Sequence, residues 1–194
     1  MKNINLFINS PGGGVFAGIT IYNIINRLEA YITAYIDGLA ASIASVIPMA
    51  ADKIIMPKNA LMMIHNPWSA VAGSAADMRK EAEILDRAKI SILSTYSDKT
   101  KKPEKDLSEM MDKETWMTGT EAKTLGFSDV LEEKKDIKAC LTGSKFIVNG
   151  IEVDIDKFKT FPKDRYGVAP VNSDKPRLFN ARQSFITLKK GACV

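Results

Sequence analysis

Histidine is nearly absent from this chain, cysteine is scarce, and no apolar run is long. One histidine, His65, occurs in 194 residues, so only one side chain has an ordinary pKa near neutrality. The two cysteines, Cys140 and Cys193, lie far apart in the C-terminal third and form no C-x-x-C pair. That spacing argues against a disulfide framework or a zinc site, and reduced thiols suit a reducing compartment. No apolar stretch reaches the length of a membrane span. The opening residues "MKNINLFINSPGGG" also lack the apolar core of a secretory signal. A cytoplasmic location, no metal, no cofactor and no membrane partner are the expectations. Internal repeats and low-complexity tracts are absent too.

Charge is unevenly placed. Residues 1–133 hold 14 Lys/Arg against 17 Asp/Glu, whereas residues 134–194 hold 13 against 6. A basic tail on a mildly acidic body can meet an acidic surface or nucleic acid. A solvated, lysine-rich appendage is the simpler reading, and nucleic-acid binding is not expected.

Strand and helix signals alternate over the first 130 residues. "INLFI" (4–8) reads as a short buried strand that ends at the turn "NSPGGG". Residues 16–29 carry apolar side chains at helical spacing, and "AYITAYID" (30–37) reads as a strand closed by Gly38. The small residues of "LAASIASVIPMAAD" (39–52) suggest a buried helix, followed by strands at 53–57 and 60–67. One long amphipathic helix is predicted from Ser74 to Thr100, with a capping box of Ser74 and Asp77. Its apolar stripe is Met78, Leu85, Ile92 and Tyr96. Short helices follow at 103–112 and 119–127, the latter stopped by Gly126. This alternation predicts an α/β body over 1–133. Beyond it, 134–194 reads as a basic, β-rich extension: a hairpin at 145–155 turning at Asn149-Gly150, a linker at 157–176 and a strand at 183–190.

Three stretches could carry chemistry. In "NSPGGG" (9–14) the glycines let a substrate approach the main chain, whose N–H groups could receive a developing negative charge. An ordinary Gly-rich turn is the plain alternative, and the stretch lacks the P-loop lysine. In "DGLAASIAS" (37–45), Ser42 falls just after a strand, in the first turn of the expected helix, among alanines that leave room for a carbonyl. Ser45, one turn deeper, is expected to be buried and bonded to backbone. In "LMMIHNP" (61–67), His65 sits at a strand end, where α/β sheets gather ligands. Each stretch alone is as well explained by packing.

Together and in this order they carry a resemblance. "INSPGG", "GLAAS", "MIHNP" and "WMTGTEAKTLGFSD" resemble the proteolytic subunit of the ATP-dependent Clp protease, a serine peptidase, over residues 4–132. "AASIASVIPMAADKIIMPKNALMMIHNPW" and "MMDKETWMT" are most similar to Clp-related head maturation proteases of bacteriophages and prophages. The resemblance implies a crotonase/ClpP-like α/β fold of repeated β-β-α units. It implies Ser42 as nucleophile, His65 as general base, and the amides of Gly13 and Ile43 as oxyanion donors. Register places Glu114 as the triad acid; residue type favours Asp112 two positions earlier, and Glu114 ranks ahead, with Asp129 and Asp37 behind both. Substrate chains would lie along Gly14, Val15 and Phe16 on one side and Trp68, Ser69 and Ala70 on the other. A serine endopeptidase working in a homo-oligomeric ring, on capsid or scaffold proteins in the phage case, is the implied function. The long helix resembles the element through which family rings pair.

Two features depart from the family. The strands that precede "INSPGG" in the family have no counterpart here, which predicts an unpaired sheet edge and argues against docking to an unfoldase ATPase. The extension from 134 also has no counterpart in the Clp subunit. A crotonase-fold acyl-CoA enzyme and a catalytically idle assembly or scaffold protein are the competing readings.

Overall fold

The computed structural model describes residues 2–133 and 135–166, together with the backbone of 186–190. Strand β1 (Lys2–Ser10), helix α1 (Val15–Asn26) and strand β2 (Ala30–Ala41) open the body. Two 3-10 turns follow, Ser42–Ser45 and Ile47–Ala50, then β3 (Lys53–Pro57) and β4 (Leu61–Ile64). Next come α2 (Ala75–Thr100), α3 (Glu104–Asp112), β5 (Thr115–Thr118), α4 (Gly119–Leu125) and β6 (Val130–Glu132). Beyond residue 133 lie β7 (Ala139–Thr142), β8 (Lys145–Val148), β9 (Ile151–Asp154), 3-10 turns at Ile155–Lys157 and Lys163–Arg165, and β10 (Ile186–Lys190).

Strands β1, β2, β3 and β6 run parallel in that spatial order. β2 is long enough to serve two neighbours. Thr33–Tyr35 pair with β3, and Leu39–Ala41 pair with β4, which carries antiparallel β5. The sheet therefore divides along β2 and curls. Burial follows this division. β2 alternates buried and partly exposed positions up to Asp37, but Gly38–Ala41 are buried throughout, as are all four residues of β4. A strand covered on both faces loses its alternation. The outer edge of β1, expected to be free, is taken by β10, which pairs antiparallel from Ile4↔Lys190 to Ile8↔Ile186.

The second cover comes from the extension. β7, β8 and β9 form a separate antiparallel sheet whose Leu141, Phe146, Val148 and Val153 pack on Leu39, Ala41, Leu61 and Met63 of the body. The β8–β9 turn has φ of 47° at Asn149 and 82° at Gly150, the conformation expected of Asn-Gly in a two-residue hairpin. Asn149 Nδ2 also donates to the Asp37 carbonyl at 2.9 Å, which fastens the turn to β2. A Cβ on Gly38 would stand 3.0 Å from Asn149, Asn9 and Val148, so the two sheets meet closely there.

Three expectations change. The helix read over 39–52 is strand to Ala41 and then two 3-10 turns; Pro48 cannot donate a helical hydrogen bond, and the alanines are the small side chains that a doubly covered strand needs. The α2 stripe is buried only from Ala88 onward, at Ala88, Ile92, Leu93 and Tyr96, while Met78 is half exposed; the first turns of the helix stand away from the body. The segment 157–166, read as linker, is packed: Phe158, Phe161 and Tyr166 sit on the second core. The rest of that stretch, residues 183–185 and Cys193 lie outside the described residues. The capping box Ser74/Asp77 and the αL stop at Gly126 are found where expected.

Candidate active site

β2 ends at Ala41, and the chain turns sharply at Ser42 with φ of 55°. A non-glycine residue in the left-handed region costs energy and persists only where its surroundings enforce it. Here the enforcement is visible. Ser45 Oγ, fully buried, donates to the Ser42 carbonyl and shares a 2.7 Å hydrogen bond with Tyr96 Oη of α2. Gly12 closes over the serine from the other side. Its φ is 99°, and a Cβ there would lie 2.7 Å from Ser42 Cβ.

His65 follows β4 directly, and its Nε2 stands 2.8 Å from Ser42 Oγ. Residues 23 positions apart in sequence meet because β2 and β4 are parallel neighbours ending at the same rim. Burial pushes the imidazole below its ordinary pKa; the Glu114 carboxylate pulls it up and Lys159 pushes it down. A base left neutral near pH 7 can take a hydroxyl proton.

Glu114 is buried, with φ of 51°, and among the described residues it makes no hydrogen bond to His65. Its carboxylate instead accepts from the amides of Lys159 (3.0 Å) and Thr160 (2.8 Å), the Thr160 hydroxyl (3.1 Å) and Trp116 Nε1 (3.3 Å). Burial raises its pKa, but these four donors outweigh burial and hold the carboxyl below its ordinary value. Asp112 is exposed and engaged with Lys89 (2.7 Å) and Asn66 (2.8 Å). Asp129 accepts from the Ile54 amide and pairs with Lys99, and Asp37 lies under the hairpin turn; neither bonds to His65.

A cleft of about 240 Å³ opens over the pair. Pro11, Gly12, Gly13 and Ser42 form one wall and Trp68 lies at its rim. The amides of Gly13 and Ile43 have no acceptor among the described residues. Gly14 caps α1, and Val15 and Ile43 line a small hollow behind Ser42 and His65. Phe16, Trp68, Ser69 and Ala70 are exposed. The opposite wall comes from residues that sequence reasoning did not single out: Glu152, Val153, Asp154, Lys157 and Phe158. The Phe158 ring lies 6.2 Å from that of His65 and edge-on to Trp116 at 5.3 Å. The only local hint was aromatic residues at 158, 161 and 166 in an otherwise polar tract.

The profile of one family, described as Clp protease, matches residues 1–135. The chain belongs to the Clp protease family. It is 33% identical over 136 residues to the ATP-dependent Clp protease proteolytic subunit of Porphyromonas gingivalis, covering 69% of this chain and 61% of that protein. Proteolytic subunit 1 of Chlamydia pneumoniae is 33% identical over 132 residues, 66% and 69% of the two chains. Its counterpart in Streptomyces avermitilis is 33% identical over 139 residues, 70% and 64%. The chain thus spans about three fifths to two thirds of the length of these relatives. Its curled α/β sheet is that of a ClpP-like fold. The extension that walls the cleft begins where the family match ends.

Proposed function

We propose that this chain is a Clp-type serine endopeptidase. The observation that carries the reading is the 2.8 Å contact between Ser42 Oγ and His65 Nε2 at the floor of an open cleft. In this reading His65 takes the hydroxyl proton as Ser42 attacks a peptide carbonyl, and the oxyanion faces the amides of Gly13 and Ile43. Collapse expels the amine, protonated by His65, and leaves an acyl-serine that water hydrolyses. Glu114 serves as the acid of the set through its field, supporting the imidazolium without a direct bond. Asp112, tied to Lys89 and Asn66 at the surface, is the weaker candidate. Substrate passes between Gly14–Phe16 and Trp68–Ala70 as an extended chain.

The family membership supports protein substrates and a cytoplasmic homo-oligomeric ring. Among the described residues no helix is long and apolar enough to cross a membrane. The finer reading, phage or prophage head maturation acting on capsid or scaffold proteins, rests on the likeness of the 40–68 and 110–118 segments to such proteases. A fluorophosphonate probe should label Ser42, and His65→Ala should abolish the labelling. Peptide cleavage that survives Ser42→Ala refutes the proposal. Specific cleavage of a co-encoded capsid or scaffold protein, set against casein, tests the finer role.

A further inference from the structure

The wall of the cleft facing the glycines is the rim of a β-sheet. β9 is an edge strand: among the described residues it pairs only with β8, in the order β7-β8-β9. Its register decides where its main-chain groups point. The pairs run Val148↔Ile151, Ile147↔Glu152, Phe146↔Val153 and Lys145↔Asp154, and the next pair, Ser144 and Ile155, is joined by an amide-to-carbonyl bond of 2.8 Å. In an antiparallel ladder bonded and non-bonded pairs alternate. Ile151, Val153 and Ile155 therefore exchange hydrogen bonds with β8, whereas the N–H and C=O groups of Glu152 and Asp154 point away from it. Glu152 and Asp154 both line the cleft. Their side chains are committed elsewhere: Glu152 pairs with Lys145 at 2.7 Å, and Asp154 accepts from the Asp156 amide.

We infer that β9 is a substrate-docking strand, whose free edge pairs by main chain with an extended polypeptide lying over Ser42. The occupant rests on the peptidase reading above, and the site itself on the strand's register. An exposed strand edge is a template for one more strand. This edge is continuous with the cleft that holds the serine and histidine, and the facing wall, Gly12 and Gly13, carries no side chain to obstruct a backbone. At about 240 Å³ the cleft suits a short length of chain, being smaller than an ordinary small-molecule pocket. The extension is held in this place by its own contacts: the Asn149 turn on β2, and the amides of Lys159 and Thr160 on Glu114.

The test is binding of fluorescein-labelled, reduced and carboxymethylated casein to the full chain carrying Ser42→Ala, read by anisotropy. Glu152→Pro removes one outward N–H without touching a bond to β8, and proline is tolerated on an edge strand. It should weaken binding by about 2- to 12-fold, the value of one hydrogen bond, while Glu152→Ala, which keeps the amide, changes it less than about 2-fold. In the chain with an unaltered β9, casein should slow hydrogen exchange at the amides of Glu152 and Asp154, a readout that does not depend on the proline variant folding. Absence of casein binding, equal binding by the proline and alanine variants with no slowing of exchange, or tighter binding after Glu152→Pro overturns the inference. Fluorophosphonate labelling of the unsubstituted chain separates the two proposals. Labelling with unaltered binding by Glu152→Pro and no slowing of exchange at Glu152 and Asp154 defeats docking alone. Casein protection of Glu152 and Asp154 without labelling defeats the peptidase reading alone.

Discussion

Replacing Gly12 by alanine is the sharpest test of how the serine is held. A Cβ at this position would sit 2.7 Å from Ser42 Cβ, 2.8 Å from the Ala41 carbonyl oxygen and 3.2 Å from Ser42 Oγ. Ordinary contact begins at 3.4 Å, so the turn and β2 must part by about 0.7 Å. No rotamer change relieves this, because the nearest atoms are backbone or fixed directly to it. Ala40 and Ala41 are fully buried, which leaves the Gly-rich turn or Ser42 itself to move. The φ of 99° adds about 1–3 kcal/mol of strain for a residue with a side chain. A shift of this size would stretch the 2.8 Å Ser42–His65 contact to the limit of a hydrogen bond, and misplacement near 1 Å costs about 100-fold in rate. Gly12→Ala should therefore slow fluorophosphonate labelling of Ser42 by about 10- to 100-fold and lower the melting temperature. Gly14→Ala provides the control for stability, since its Cβ would meet only Ala17 Cβ at 3.8 Å and its melting temperature should hardly change. Labelling of Gly12→Ala within twofold of the parent, with unchanged melting, would show that Gly12 does not hold Ser42 in place.

Glu114→Ala should cost about 2–4 kcal/mol in denaturant titration, because it removes the buried acceptor shared by the amides of Lys159 and Thr160, the Thr160 hydroxyl and Trp116 Nε1; the two amides should also exchange faster, and an unchanged exchange pattern would show that Glu114 does not hold the extension. Glu114→Gln removes the charge that supports the imidazolium, so the acid limb of the labelling rate, already below pH 6.5, should move lower still. Both His65 and Glu114 have folded-state pKa values below their ordinary 6.5 and 4.5, so the unfolded chain binds more protons as pH falls. Their stability contributions should fade on acidification, first below about 6.5 through His65 and then below about 4.5 through Glu114; in His65→Asn the first of these windows should vanish from melting curves. Tyr96→Phe should cost about 0.5–1.5 kcal/mol, since Ser45 keeps its bond to the Ser42 carbonyl, whereas Ser45→Ala leaves a buried hydroxyl without a partner and should cost about 1–3 kcal/mol. Equal losses in chemical unfolding would show that the turn does not depend on this pair.

Much of the molecule was legible because its signals are local. Apolar periodicity, the Ser74/Asp77 box, Gly126 and Asn149-Gly150 each act through neighbours in the chain, so elements built on them need no knowledge of the fold. Residues 39–52 misled for the same reason. Small side chains fit a packed helix as well as a doubly covered strand, and only the neighbours of β2 distinguish the two.

By itself the sequence determined which chemistry was available: one serine after a strand, one histidine after another, glycines where a substrate could approach, and a carboxylate near residue 114. How these groups are arranged follows from the tertiary structure. Parallel pairing of β2 with β4 brings Ser42 to His65, and burial with four donors turns Glu114 toward the extension instead of toward the imidazole. The edge of β9 reaches the cleft only because an independent sheet docks on the far face of β2. Contacts between residues so distant in sequence depend on the summed burial of two cores, and no short stretch of sequence contains that sum.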